Sequence, residues 1–306
     1  MSKKMTDILD KTIHKLTEPV EGKMIYTPEH GKPIPSGEMI GQLVETIRSV
    51  LFPGFYGNSK VNSNTTKYNL GHALDSIYHE LTEQIRRSLC FQCPEENNNE
   101  CEEYKENAPK LALQFIEKLP NIKNKLEKDV FATYLGDPAS KSNAEIIFCY
   151  PGIRAITNYR IAHELIKFNI PLLPRIITEM AHRETGIDIH PKAQIGDSFV
   201  IDHGTGVVIG ATCIIGESVK IYQGVTLGAK SFPSDDQGIP IKGVDRHPIV
   251  KDNVVIYAEA TILGRITIGS DSIIGGNVWL TRSVPPKSRI IQQKAQTMNF
   301  TNGEGI

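Results

Sequence analysis

The amino-acid sequence predicts an α+β protein with an all-helical N-terminal domain over residues 1–184. A left-handed parallel β-helix of six-residue repeats follows over 185–288, with an excursion loop at 228–249, and a C-terminal tail fills 289–306. Three observations predict this. Aliphatic residues recur at every sixth position through the C-terminal third. The N-terminal half carries apolar residues at helical spacing between Pro and Gly breaks. One long stretch rich in Pro and Gly interrupts the repeat.

The repeat runs through Ile189, Ile195, Ile201 and Val207, slips by two residues, and resumes at Ile209, Ile215, Ile221 and Leu227. It returns at Val250, Ile256, Ile262, Ile268, Ile274 and Leu280, and a second small or aliphatic residue follows four positions after most of these, as at Ala193, Cys213, Val219 and Val254. Neither a 3.6 nor a 2.0 period produces such spacing, whereas a hexapeptide β-helix does: each hexad supplies one short strand and one corner, and three hexads close a triangular coil. Between Leu227 and Val250 the hexads give way to Pro233, Gly238, Pro240 and Gly243. Insertions of this kind leave a solenoid as a loop on one face, often the binding face. Pro285-Pro286 is expected to end the stack.

Upstream, Met39–Leu51, Leu70–Leu89, Ala108–Leu119, Asn121–Leu135, Ile153–Phe168 and Leu172–Glu184 read as helices, with loops at Pro53-Gly54, Asn58–Thr66 and Pro94–Glu100. Gly186 is placed to terminate the last helix in a left-handed conformation.

At 306 residues the chain is long enough for two cores, and 40% hydrophobic with 23% charged residues is an ordinary globular composition. With 34 Lys+Arg against 35 Asp+Glu, nothing favours a nucleic-acid or acidic-membrane partner. No apolar run approaches a membrane span, Met1–Leu16 lacks a signal-peptide core, and five cysteines suit a reducing compartment; the expected location is the cytoplasm.

Three imidazoles fall in or beside the repeat: His190, His203 and His247. Asp188 and His203 lie fifteen residues apart, close to one coil of about eighteen, so they approach on adjoining coils, within or between subunits. A carboxylate that fixes an imidazole tautomer and stabilises the imidazolium makes a general-base unit. A zinc site of the kind some β-helix enzymes hold between subunits needs three convergent ligands. Each His here has an Asp or Arg beside it and no close His pair exists, so no metal is expected. Cys90, Cys93 and Cys101 form C-x2-C-x7-C, which lacks a fourth ligand and reads as buried or loop thiols.

Several strings together resemble the serine O-acetyltransferase family: Gly186-Ile-Asp188-Ile-His190-Pro, Ile201-Asp202-His203-Gly-Thr-Gly, Gln223-Gly-Val-Thr-Leu-Gly228, Arg246-His247-Pro and Ser283-Val-Pro-Pro286. The likeness extends upstream to Asp137-Pro-Ala139 and Tyr159-Arg-Ile-Ala-His163, and it covers roughly Asp129 to Ser288. The resemblance implies transfer of acetyl from acetyl-CoA to the hydroxyl of L-serine. It casts His203 as base and Asp188 as its orienting partner. Asp137 and Asp202 would anchor the substrate ammonium, Arg246 its carboxylate, and His247 would be a further substrate-site residue. CoA would meet Ala229, Lys230, Ala258 and Gly276. A homotrimer or dimer of trimers is implied, and so is docking of O-acetylserine sulfhydrylase on the tail ending Gly303-Glu304-Gly305-Ile306.

The chain departs from the family at Ala211, where many members carry Glu, and in its longer loop Ala229–Val244; a basic anchor near Ser272-Ile273 is also missing. Two other readings of the repeat stay open: an acyltransferase with a sugar or antibiotic acceptor, and a γ-type carbonic anhydrase-like zinc enzyme. A carboxylate clamp of Asp137 with Arg246 and His247 speaks against a sugar acceptor.

Overall fold

The computed structural model describes residues 3–18, 34–57, 65–91 and 98–293. Eight helices come first among these: α1 (Lys3–Thr17), α2 (Gly37–Leu51), α3 (Thr66–Cys90), α4 (Asn98–Ile116), α5 (Leu119–Gly136), α6 (Asn143–Cys149), α7 (Pro151–Ile166) and α8 (Leu173–Thr185). Three differ from the segments read in the sequence, the first being α1, which lies ahead of all of them. Helix α4 already begins at Asn98, inside the stretch Pro94–Glu100 read as a loop. Helix α6 was not expected, being too short to show a period. Its start is fixed locally: Ser142 Oγ accepts from Glu145 N at 3.1 Å while the Glu145 carboxylate accepts from Lys141 N at 2.7 Å. Gly186 ends α8 at φ 71°, the left-handed cap expected of it.

Fourteen short strands follow. The first sheet holds β1 (Asp188–Ile189), β4 (Val208–Ile209), β7 (Thr226–Gly228), β10 (Thr261–Leu263) and β13 (Trp279–Leu280). The second holds β2 (Gln194–Ile195), β5 (Ile214–Ile215), β8 (Ile249–Val250) and β11 (Thr267–Ile268). The third holds β3 (Val200–Asp202), β6 (Lys220–Tyr222), β9 (Val255–Ile256), β12 (Ile273–Ile274) and β14 (Arg289–Ile290). All the strand pairings are parallel, and successive strands from β1 to β13 visit the three sheets in turn, which makes a triangular solenoid.

Every aliphatic of the six-residue series from Ile189 to Leu280 is buried in this stack. Val207, however, stands in register with Val225 and Ala260, at a corner and not on a strand. The two-residue slip therefore lies ahead of it, in an enlarged corner that begins at His203. Pairing also continues past Pro285-Pro286, because β14 adds to β12. Proline lacks an N–H but does not stop the next hexad from joining the ladder.

Helix α7 docks the helical half on the first coil. At Gly152 a Cβ would stand 2.4 Å from the Ile201 carbonyl, so only glycine lets α7 approach β3 this closely. Arg160 then reaches the Asp129 carboxylate at 2.6 and 2.8 Å and the Gly196 carbonyl at 2.9 Å, while Phe199 N donates to Asp129 at 2.9 Å. Tyr159 Oη donates to the Ala193 carbonyl at 2.7 Å. A buried ion pair with its remaining valences satisfied locates two elements relative to each other. Here it fixes α5 and α7 on the corner-bearing coil.

Candidate active site

The candidate site residues fall mainly on two edges of the triangle. At the edge where the chain passes from the third sheet to the first, β3 delivers Asp202 and the corner delivers His203. His203 has φ 57°, a left-handed conformation that turns the imidazole out, and its side chain is 76% exposed. Its Nε2 lies 3.8 Å from Asp202 Oδ1. Asp137 caps the C-terminus of α5; its Oδ1 accepts from Ala139 N at 2.8 Å and its Oδ2 from Tyr150 Oη at 2.6 Å. The Tyr150 hydroxyl, then the Ala139 N–H, hold the Asp137 carboxyl below the usual carboxylate range, with Lys220 and His203 also favouring its anion. Lys220 completes this half, bound to Asp202 Oδ2 at 2.9 Å.

At the edge between the first and second sheets, Arg246 and His247 end the excursion loop. At Gly210 a Cβ would stand 2.0 Å from the His247 ring, so the glycine makes room for the imidazole. Thr212 N donates to His247 Nδ1 at 3.1 Å, and Thr212 Oγ1 lies 2.8 Å from the same nitrogen. The Thr212 hydroxyl oxygen in turn accepts from Arg246 N and His247 N at 3.0 and 3.2 Å. Nδ1 is thus an acceptor, and His247 presents an Nε2–H donor. Burial, with Arg246 and Arg265 nearby, lowers its pKa and keeps it neutral. Arg246 lies with its guanidinium 5.7 Å from the Phe232 ring centroid, and its Nε is buried without a hydrogen-bond partner among the described residues. His190, Ala211, Thr212, Gly243 and Arg246 line a cavity of about 520 Å³ under the α7–α8 connection. Burial, Arg175 and Lys192 push the His190 pKa down to about 4.

Asp188 and His203 share the first edge on neighbouring coils but make no hydrogen bond or ion pair within one protomer. Asp188 instead faces Arg175, at 3.7 Å, and His203 faces Asp202. Glu179, His182 and Asp188 bring ligand-type atoms within 4.8 Å of one another, yet the Arg175 guanidinium already bridges Glu179 and Asp188. Ala258 and Gly276 stack on the first edge, where a Cβ on Gly276 would stand 3.1 Å from the Ala258 carbonyl. Ala229 and Lys230 lie on the other edge, directly after β7. Ile306 and Cys93 lie outside the described residues, and Cys90 is buried.

Sequence reasoning missed Tyr150, Thr212 and Lys220. Tyr150 precedes Pro151 at a helix start and Thr212 sits at a corner, neither distinguishable from structural use. Lys220 occupies an outward strand position, where lysine is ordinary.

Coils of six-residue units carrying imidazoles at their corners define a transferase of the hexapeptide-repeat class, and the family described as bacterial transferase hexapeptide (six repeats) matches residues 247–282. A serine acetyltransferase (plasmid) of Synechococcus elongatus is 54% identical over 276 residues, 90% of this chain and 86% of that relative. Among solved structures, serine acetyltransferase isoform 3 from Entamoeba histolytica in complex with cysteine superposes with a TM-score of 0.70 at 31% identity, over 98% of this chain and 94% of that one. Serine acetyltransferase 1 from the same organism, in complex with L-cysteine, gives 0.69 at 36% identity, over 85% and 88%. The chain belongs to the serine acetyltransferase family.

Proposed function

We infer that the two edges together form the site at which L-serine is acetylated by acetyl-CoA. The observation that carries this reading is the pairing of an exposed base beside two carboxylates on one edge with an arginine and a neutral histidine on the other. A zwitterionic acceptor needs an anionic anchor for its ammonium, a cationic fork for its carboxylate and a base at its hydroxyl. Asp137 and Asp202 supply the first, Arg246 the second and His203 the third, with His247 donating from Nε2.

His203 Nε2 takes the proton of the serine hydroxyl as its oxygen attacks the thioester carbonyl. The carbon–sulfur bond then breaks, and the imidazolium returns the proton to the departing CoA sulfur. Asp188 orients this imidazole when the site is complete. CoA runs along the corners, past the small residues Ala258 and Gly276 on one edge and Ala229 and Lys230 on the other.

The edges are separated by one side of the triangle, roughly 15–20 Å at about 3.3 Å per extended residue. No single amino acid spans that. The complete site therefore joins the first edge of one protomer to the second edge of another, and a head-to-tail contact repeated three times closes a ring. Val208 and Trp279, 38% and 70% exposed on the outer face of the first sheet, lie between the two edges and are covered in such a trimer. Two trimers would pair through their helical halves. The tail ending at Ile306 serves as the docking peptide for O-acetylserine sulfhydrylase, and the enzyme works in the cytoplasm. No described helix is long and apolar enough to cross a membrane.

The test is direct. Purified protein with acetyl-CoA and L-serine releases free CoA thiol; release no faster than with threonine, homoserine or buffer overturns the assignment.

A further inference from the structure

Lys220, on β6, reaches the His203 edge through Asp202 and takes no part in the proton transfer. Its Nζ lies 2.9 Å from Asp202 Oδ2 and 2.9 Å from the Gly136 carbonyl, and 4.6 Å from the Tyr222 ring centroid. The ion pair is largely shielded, with side chains 15% and 16% exposed. Gly136 is the last residue of α5 and immediately precedes Asp137, and its carbonyl belongs to the negative end of that helix. Lys220 thus ties the carboxylate beside the base to the turn that carries the other carboxylate.

We propose that Lys220 is a positioning residue that offsets the Asp202 charge beside His203 and leaves the Asp202–Asp137 pair with one net negative charge for the substrate ammonium. The proposal rests on the reading of His203 as the base. With Asp188 facing Arg175, the group of Asp202, Asp137 and Lys220 carries a net charge of one negative unit, which a single ammonium balances. Without Lys220 the same group would carry two. The ionisable groups around His203 are Asp202 on β3, Lys220 on β6, Asp137 after α5, Tyr150 before α7 acting through Asp137, and Asp188 on β1 of the same edge, which faces Arg175 of α8. Removing the ammonium leaves Asp202, 3.8 Å from the His203 ring nitrogen, without its cationic partner.

The experiment is the pH profile of kcat/KM for L-serine with the full-length enzyme. In Lys220→Met and in Lys220→Gln the acidic limb moves up by roughly one pH unit, because a unit charge several ångströms away acts through a partly shielded medium. Lys220→Arg keeps the wild-type limb. Overlaying profiles for wild type and either neutral variant overturn the proposal, as does a shift in Lys220→Arg equal to that in Lys220→Met. A wild-type enzyme with no serine-dependent thiol release removes the function itself and this inference with it, an outcome distinct from unchanged profiles in an active enzyme.

Discussion

Tyr150 Oη donates to Asp137 Oδ2 at 2.6 Å, and the two residues flank helix α6 on either side. That short helix, capped by Ser142, is what brings them together. The bond keeps Asp137 anionic and pushes the Tyr150 phenol up to about 12, so the proton stays on tyrosine. Tyr150→Phe removes one hydrogen bond to a charged group and is expected to raise KM for serine about tenfold with a much smaller change in kcat. Steady-state kinetics decide it; an unchanged KM means that Asp137 does not meet the ammonium.

His203 occupies a left-handed corner, so its replacement has to respect φ 57°. Asparagine tolerates that conformation better than alanine. His203→Asn is expected to lower kcat by about 10²–10⁴-fold, the range general-base catalysis supplies. Its thermal midpoint should stay near wild type, because the ring is exposed. A variant with near-normal kcat would remove His203 from the chemistry.

Phe232 supports the Arg246 guanidinium from within the excursion loop. A cation–π contact at an exposed site contributes about 0.5–1 kcal/mol, which corresponds to a KM for serine raised about two- to fivefold in Phe232→Ala. Phe232→Tyr keeps the aromatic face and should restore KM. Equal KM values for all three proteins would detach the loop from carboxylate binding.

His190 provides a pH signature. Its folded pKa is depressed to about 4 from 6.5, so the unfolded chain binds the proton first as pH falls. Its contribution to stability is therefore present above pH 6.5 and is lost between about 6.5 and 4. Replacing His190 by Gln should flatten this part of the stability curve, measured by chemical denaturation at several pH values. A slope identical to wild type would contradict the assignment.

The solenoid was legible because its period is rigid: each inward aliphatic from Ile189 to Leu280 answers to the same geometric demand, and all are buried. His203, Asp202, Arg246 and His247 were legible because they interrupt that pattern. What escaped was set by tertiary contact. Tyr150 reaches Asp137 only after α6 folds, and Lys220 reaches Asp202 only once β6 stacks on β3. Counting residues along a coil also could not show that Asp188 faces Arg175 of α8, because that contact depends on how the helix packs against β1.

The central claim is that one site draws on two edges of two protomers. Co-expression of His203→Asn with Arg246→Ala tests it most directly, each variant alone being inactive. Random assortment into trimers leaves about one site in four with both halves intact, so serine-dependent thiol release should return to about a quarter of the wild-type rate. Mixed trimers as inactive as their parents would place both halves in a single chain and contradict the account.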